Sequence, residues 1–244
     1  MKNHPLRIEP FGQRAVLVEW PAQVSESILA EILDFVDSFK NLGLPNWEVS
    51  VAYNSLTLVN TRQNIDFEQV KTQILSAYEG IKVKTKHSNG FLWKLPVCYE
   101  EEFGLDLKEA AEVLGMTIDE LIREHTAYQY TVYGIGFLPG FMYLGGLPQQ
   151  LEIPRRKEPR LSVARGSVGL AGKQTGIYPQ NSPGGWNIIG SCPIPIFDIS
   201  KEQPCFVKVG DKIQFEPISK AAYDLKKIEA EVGIYQPQKK RLNA

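Results

Sequence analysis

Between Tyr133 and Asp198 the chain holds 12 of its 20 glycines and 8 of its 16 prolines, within 66 of its 244 residues. Short β-prone pieces alternate there with Gly and Pro turns: YTVYGIG, GSVGLAG and GWNIIG, continued downstream by CFVKVG and KIQFEP. That texture predicts a β-barrel or sandwich rather than βαβ units. The enrichment has two readings. It can mean many tight turns, or backbone brought close to a ligand, since Gly removes the Cβ obstacle and Pro fixes the path.

Upstream, the first 85 residues read as a small α+β unit. Leu6–Pro10, Ala15–Trp20, Trp47–Tyr53 and Leu56–Asn60 have strand character, and the last two form a hairpin around Asn54-Ser55. Ser25 caps a helix running to about Lys40, and Asp66 caps another, with Gln69 three residues on. The polar stretch Lys82–Gly90 marks a domain boundary. A second domain over residues 90–235 opens with a strand at Phe91–Tyr99, where Pro96 predicts an edge position or a bend. Two short helices follow, with capping spacing at Asp106/Glu109 and Thr117/Glu120. A helix over Ser219–Glu231 leads to a basic tail, residues 236–244, expected to be disordered because nothing apolar holds it.

Charge and cysteine usage exclude several classes. A net charge of -1 argues against a broad attraction to nucleic acid or anionic lipid. The helical pair resembles a DNA-reading helix-turn-helix, but residues 106–125 carry six acids against two bases and would repel phosphate. No apolar run approaches the ~20 residues that span a bilayer, and the N-terminus has no secretory signal pattern. Cys98, Cys192 and Cys205 match no zinc motif or closed disulfide framework. The expected compartment is the cytoplasm, with no nucleic-acid or membrane partner.

Candidate binding groups cluster in the Gly-rich stretch. Arg155, Arg156, Lys157, Arg160 and Arg165 fall within eleven positions, opposed there only by Glu158. Such arginines suit carboxylates and phosphates, although a solvated basic loop gives the same pattern. Gln174, Thr175 and Tyr178 offer amide, hydroxyl and phenol groups. Ser182-Pro183-Gly184-Gly185 can present turn amides, and Trp186 is a pocket wall or a core anchor. His125 is a candidate for proton transfer or a structural histidine. There is no GxxxxGK[ST], HExxH, GxSxG or CxxC motif.

The runs YGIGFLPGFMYLGGL (133–147), PRRKEPR (154–160), GSVGLAGKQTGIYP (166–179), SPGGWNIIG (182–190) and FD (197–198) together resemble the B subunit of bacterial ATP-dependent 5-oxoprolinase. This is the KipI-type, or allophanate hydrolase subunit 1, family, with related domains in urea carboxylase. The resemblance implies an α+β fold: a small N-terminal domain, then a cyclophilin-like β-barrel. It implies the 5-oxoprolinase C and A subunits as partners, the substrate 5-oxo-L-proline, and ATP with Mg²⁺, and it leaves open whether the nucleotide is held by this chain or by its partner. The chain would be an enzyme subunit, inactive by itself, that helps activate the lactam by phosphorylation. Arg160 would bind anions, and Gln174, Thr175 and Tyr178 would contact substrate or nucleotide. Ser182, Gly184 and Gly185 would form a binding turn walled by Trp186, with His125 a catalytic candidate and no metal ligand assigned. The alternative within the family is an inhibitor that binds a histidine kinase. One departure stands out: Ala164-Arg165 replaces the family's usual proline and small residue.

Overall fold

The structure is a computed structural model that describes residues 4–81 and 90–242. It divides into two compact units, Met1–Ser88 and Asn89–Ala244. The polar stretch expected to carry the boundary lies, except for Gly90, outside the described residues. No helix among the described residues is long and apolar enough to cross a membrane.

The first unit places β1 (Arg7–Pro10), β2 (Ala15–Glu19), β3 (Trp47–Ala52) and β4 (Ser55–Asn60) in the antiparallel order β1-β2-β4-β3. Helices α1 (Glu26–Asn41) and α2 (Phe67–Glu79) pack with it. Their starts follow local chemistry. Ser25 Oγ accepts from the Ile28 amide, and an Asp66 carboxylate oxygen accepts from the Gln69 amide. In α1 the 3.6-residue period turns Ile28, Ile32, Phe35 and Phe39 inward, each side chain worth ~1.5–3 kcal/mol when fully buried. Glu31, on the same helix, is buried but satisfied. Trp20 Nε1 donates to it at 3.1 Å, the Tyr78 hydroxyl donates to it, and His4 Nδ1 lies 2.7 Å away.

The second unit contains β5 (Phe91–Val97), α3 (Leu107–Leu114), α4 (Ile118–Ala127), β6 (Tyr130–Ile135), β7 (Met142–Gly145), β8 (Arg160–Val163), β9 (Ser167–Ala171) and β10 (Gln174–Ile177). These are followed by β11 (Ser182–Gly184), β12 (Asn187–Ser191), β13 (Lys212–Pro217), α5 (Lys220–Glu231) and β14 (Gln238–Arg241). Strands β6-β7-β10-β9-β12 form an antiparallel run. Strand β13 lies antiparallel to β6 and parallel to β5. Among the isolated bridges of this unit, one joins Cys98, just past β5, to Ser191 on β12. Strands β8 and β11 form a separate two-stranded ribbon. The core includes Leu95, Tyr130, Met142, Leu144, Leu170 and Phe215. The fold is thus a mixed helix-and-strand one built on largely antiparallel sheet.

Two local expectations fail. The basic tail is not loose: Gln238–Arg241 pairs antiparallel with Phe91–Lys94 as β14. Charge alone misleads there, because the Lys239 ammonium sits 4.7 Å from the Phe91 ring centroid and 5.2 Å from that of Trp93. Past this pairing β5 has β13 on one side only, which accommodates Pro96 at an edge. Asp106 precedes α3 but makes no side-chain cap; its carboxylate is engaged elsewhere. Thr117 and Glu120, by contrast, form a full capping box.

Candidate functional site

Residues 133–198 build a ribbon laid over aromatic rings. In the ribbon, Ser182 faces Val163 and Gly184 faces Arg160. Beneath it, Phe141, Tyr178 and Trp186 meet edge to face. The centroid distances are 5.7 Å for Phe141–Tyr178, 5.5 Å for Phe141–Trp186 and 6.3 Å for Tyr178–Trp186. The glycines make this possible. A Cβ on Gly184 would lie 2.3 Å from the Tyr178 hydroxyl, and one on Gly176 would lie 3.2 Å from the Trp186 ring. At these positions glycine admits aromatic rings against backbone. Trp186 is therefore a core anchor, 5% exposed. Burial raises the Tyr178 phenol above its ordinary pKa, opposed by the Trp186 amide and by Arg155 and Arg160. Ser182 is buried, with its hydroxyl donating to Pro183 O at 3.2 Å. Gly185 is half-buried and its carbonyl accepts from the Arg156 amide at 2.8 Å.

Arg160 is not a free anion clamp. Its Nη1 and Nη2 donate to Asp106 Oδ2 and Oδ1 at 2.8 and 2.6 Å. Arg156 Nη1 donates to the same Oδ1 at 2.7 Å and to Glu109 at 3.0 Å. The Ile188 amide donates to Asp106 Oδ2 at 2.7 Å. The Asp106 carboxylate is 2% exposed and is the counter-charge of this basic segment. Sequence reasoning missed it because it lies about fifty residues upstream. The available signal was the surplus of cations over Glu158, which calls for an acid from another element once the segment is packed.

His125 is likewise internal. It is fully buried and stacks on Phe215 at a centroid distance of 4.5 Å. The Thr175 hydroxyl donates to Gly169 O at 3.1 Å, so it accepts from His125 Nε2–H at 2.8 Å. His125 Nδ1 then accepts from the Tyr99 hydroxyl at 2.7 Å. Burial lowers the imidazole pKa to about 3. A group so far from neutrality is a poor general acid or base. Both His125 and Thr175 are thus spent on a buried polar network. Gln174, half-exposed at the start of β10, makes no side-chain hydrogen bond among the described residues and is available to a ligand.

Two of the concavities in this unit adjoin the basic residues. One, of about 460 Å³, runs beside the basic segment and is lined by Arg155, Arg156, Lys157, Glu158 and Asn187 among others. The other, of about 660 Å³, opens between the Arg165 turn, the Phe197–Asp198 loop and α5.

Residues 6–207 match the family model described as the carboxyltransferase domain, subdomain C and D. The chain is 32% identical to the 5-oxoprolinase B subunit of Bacillus subtilis over 235 residues, 92% of this chain and 98% of that protein. It is 36% identical to the 5-oxoprolinase B subunit of Haemophilus influenzae over 210 residues, 86% of this chain and 97% of that protein. Among solved structures it resembles TTHA0988 with a TM-score of 0.73 and 29% identity, covering 84% of this chain. It spans only 40% of that longer solved chain.

Proposed function

The chain belongs to the 5-oxoprolinase B-subunit family, and on that premise we propose that it is the B subunit of an ATP-dependent 5-oxoprolinase that opens 5-oxo-L-proline to L-glutamate. The observation that carries this reading is identity above 30% over nearly the full length of two such relatives. The chain works with the C and A subunits in the cytoplasm. Its three free cysteines suit a reducing compartment. We read the sheet of its second unit as a cyclophilin-like barrel. The Cys98–Ser191 bridge supports this, because it brings β12 back to the end of β5.

A lactam is a weak electrophile because its nitrogen donates into the carbonyl. Transfer of the ATP γ-phosphoryl group to the lactam oxygen supplies a leaving group. Two waters are then consumed overall, one in opening the ring and one in releasing inorganic phosphate. In this reading the chain contributes shape and position rather than proton transfer. The Asp106–Arg160 pair fixes the ribbon, the aromatic cluster backs it, and Gln174 with the Gly184-Gly185 turn meets the substrate. The acid–base group comes from another subunit, since His125 stays neutral and enclosed.

The test is reconstitution with the A and C subunits, following ATP hydrolysis and L-glutamate release. Both are expected to require 5-oxo-L-proline and this chain together. Undiminished turnover when the chain is omitted refutes the assignment.

A further inference from the structure

We infer that the outward face of α5 is a docking site for a helix of a different protein chain, one whose apolar seam is bordered by lysine or arginine. None of the residues involved is assigned to the substrate, so this docking site stands or falls independently of the proposed reaction. None of the 12 residues of α5 is buried. Its inward side is nevertheless fixed. The Tyr223 ring lies 4.3 Å from that of Phe103, its hydroxyl oxygen is 3.2 Å from Ser191 Oγ, and Ala230 packs against the core. Both ends are closed. Ser219 Oγ accepts from the Ala222 amide at 3.3 Å. At the other end the Gly233 amide donates to Ala230 O at 3.2 Å and the Ile234 amide to Glu229 O at 2.9 Å, with Gly233 at φ +78°. A helix already formed loses little entropy when a partner settles on it.

The opposite side is apolar. Ala221, Leu225, Ile228 and Val232 follow the alternating four- and three-residue spacing of a coiled-coil seam. Residues so spaced adjoin along one helix face. All four are exposed, Leu225 and Ile228 by 57% and Val232 by 64%. With Leu225 and Val232 at the a positions of the heptad, and Ala221 and Ile228 at d, the flanking e and g positions fall to Ala222, Asp224, Glu229 and Glu231. The border of the seam is therefore acidic. The lysines of α5 are drawn elsewhere. Lys220 pairs with Glu102, the Lys226 ammonium sits 5.5 Å from the Tyr235 ring centroid, and Lys227 lines the groove toward the Arg165 turn. This pattern selects the occupant, because the charges beside a seam set partner choice. In a parallel pair of two copies Asp224 would face Glu229, and in an antiparallel pair acid would again meet acid. A second copy is disfavoured, and a helix with basic flanks is favoured. A lipid surface is disfavoured too, since helices that lie on one border their apolar face with lysine and arginine. A seam this short gives a weak, reversible contact by itself.

The test uses three labelled synthetic helical peptides, titrated with the purified full chain and followed by fluorescence anisotropy. One carries a leucine and isoleucine seam with lysine flanks, the second the same seam with glutamate flanks, and the third lysine flanks with a glutamine seam. The first is expected to bind at least about tenfold more tightly than either of the others. Leu225→Asp/Ile228→Asp is expected to weaken that binding about tenfold or more while circular dichroism shows the fold retained, because both side chains are more than half exposed. Glu229→Lys/Glu231→Lys is expected to reverse the preference toward the glutamate-flanked peptide. No binding of the first peptide overturns the inference. So does equal binding of all three, or unchanged affinity in the folded Leu225→Asp/Ile228→Asp variant. Sedimentation showing a dimer of the chain that Leu225→Asp/Ile228→Asp dissolves also overturns it, and makes the face a contact between copies.

Discussion

Replacing Asp106 by alanine removes four accepted hydrogen bonds at once, from Arg156, from both terminal nitrogens of Arg160, and from the Ile188 amide. Losing one partner of a buried ion pair costs ~3–5 kcal/mol, mainly because the other charge is left unpaired. Here the arginine side chains are 27% and 25% exposed. Water can reach part of each freed guanidinium, so the lower end, ~3 kcal/mol, is the expected loss. For a unit of this size that corresponds to a fall of ~6–12 °C in Tm. Asp106→Asn should recover little. Its carbonyl can keep the Ile188 bond, but its amide hydrogens then face the guanidinium groups. Urea unfolding followed by tryptophan fluorescence gives the numbers, and a double-mutant cycle with Arg160→Ala should show at least ~1 kcal/mol of coupling. A loss below ~1 kcal/mol for Asp106→Ala, or additive behaviour in the cycle, would falsify the view that this carboxylate anchors the basic segment.

His125 sets a pH dependence. Its folded pKa of about 3 lies below the ordinary 6.5, so the unfolded chain binds the proton first as pH falls. Its contribution is complete above pH 6.5 and is lost between there and about 3, at up to ~1.4 kcal/mol per pH unit. Unfolding free energies measured across that window should show a shallower slope in His125→Gln; an unaltered slope rules the assignment out. Gly184→Ala should cost ~1–3 kcal/mol, since its Cβ meets the Tyr178 hydroxyl at 2.3 Å, and Tyr178→Phe in the same chain should restore part of the loss in thermal melts. Removing residues 238–244 should raise amide exchange along Phe91–Lys94, the segment β14 covers; protection equal to that of the intact chain speaks against the pairing.

What the sequence made legible was local. Ser25, Asp66 and Thr117 cap helices because a short polar side chain reaches an amide two or three residues on, and that geometry depends on spacing alone. The alternation in Trp47–Ala52 survives as a strand for the same reason. Illegible were partnerships between distant segments. Asp106 has capping spacing with Glu109, yet two guanidinium groups from about fifty residues downstream outcompete a single neutral amide. The Gly-rich stretch stood out as a place for close ligand contact, yet most of its glycines serve rings and backbone of the same unit. Arg165 and Lys227 come together only because α5 folds back beside the Arg165 turn.

The position of β5 also bears on how the chain is made. It is the first strand of the second unit, yet both of its strand partners, Lys212–Pro217 and Gln238–Arg241, leave the ribosome long after it. The first unit, complete by Ser88, draws its strands and helices from consecutive sequence and can close during synthesis. The apolar ribbon FLWKLPV must wait, with neither edge covered, until more than a hundred further residues emerge. That interval is when the nascent chain is most open to mispairing, and a chaperone or an early-arriving partner protein would have its largest effect on yield there.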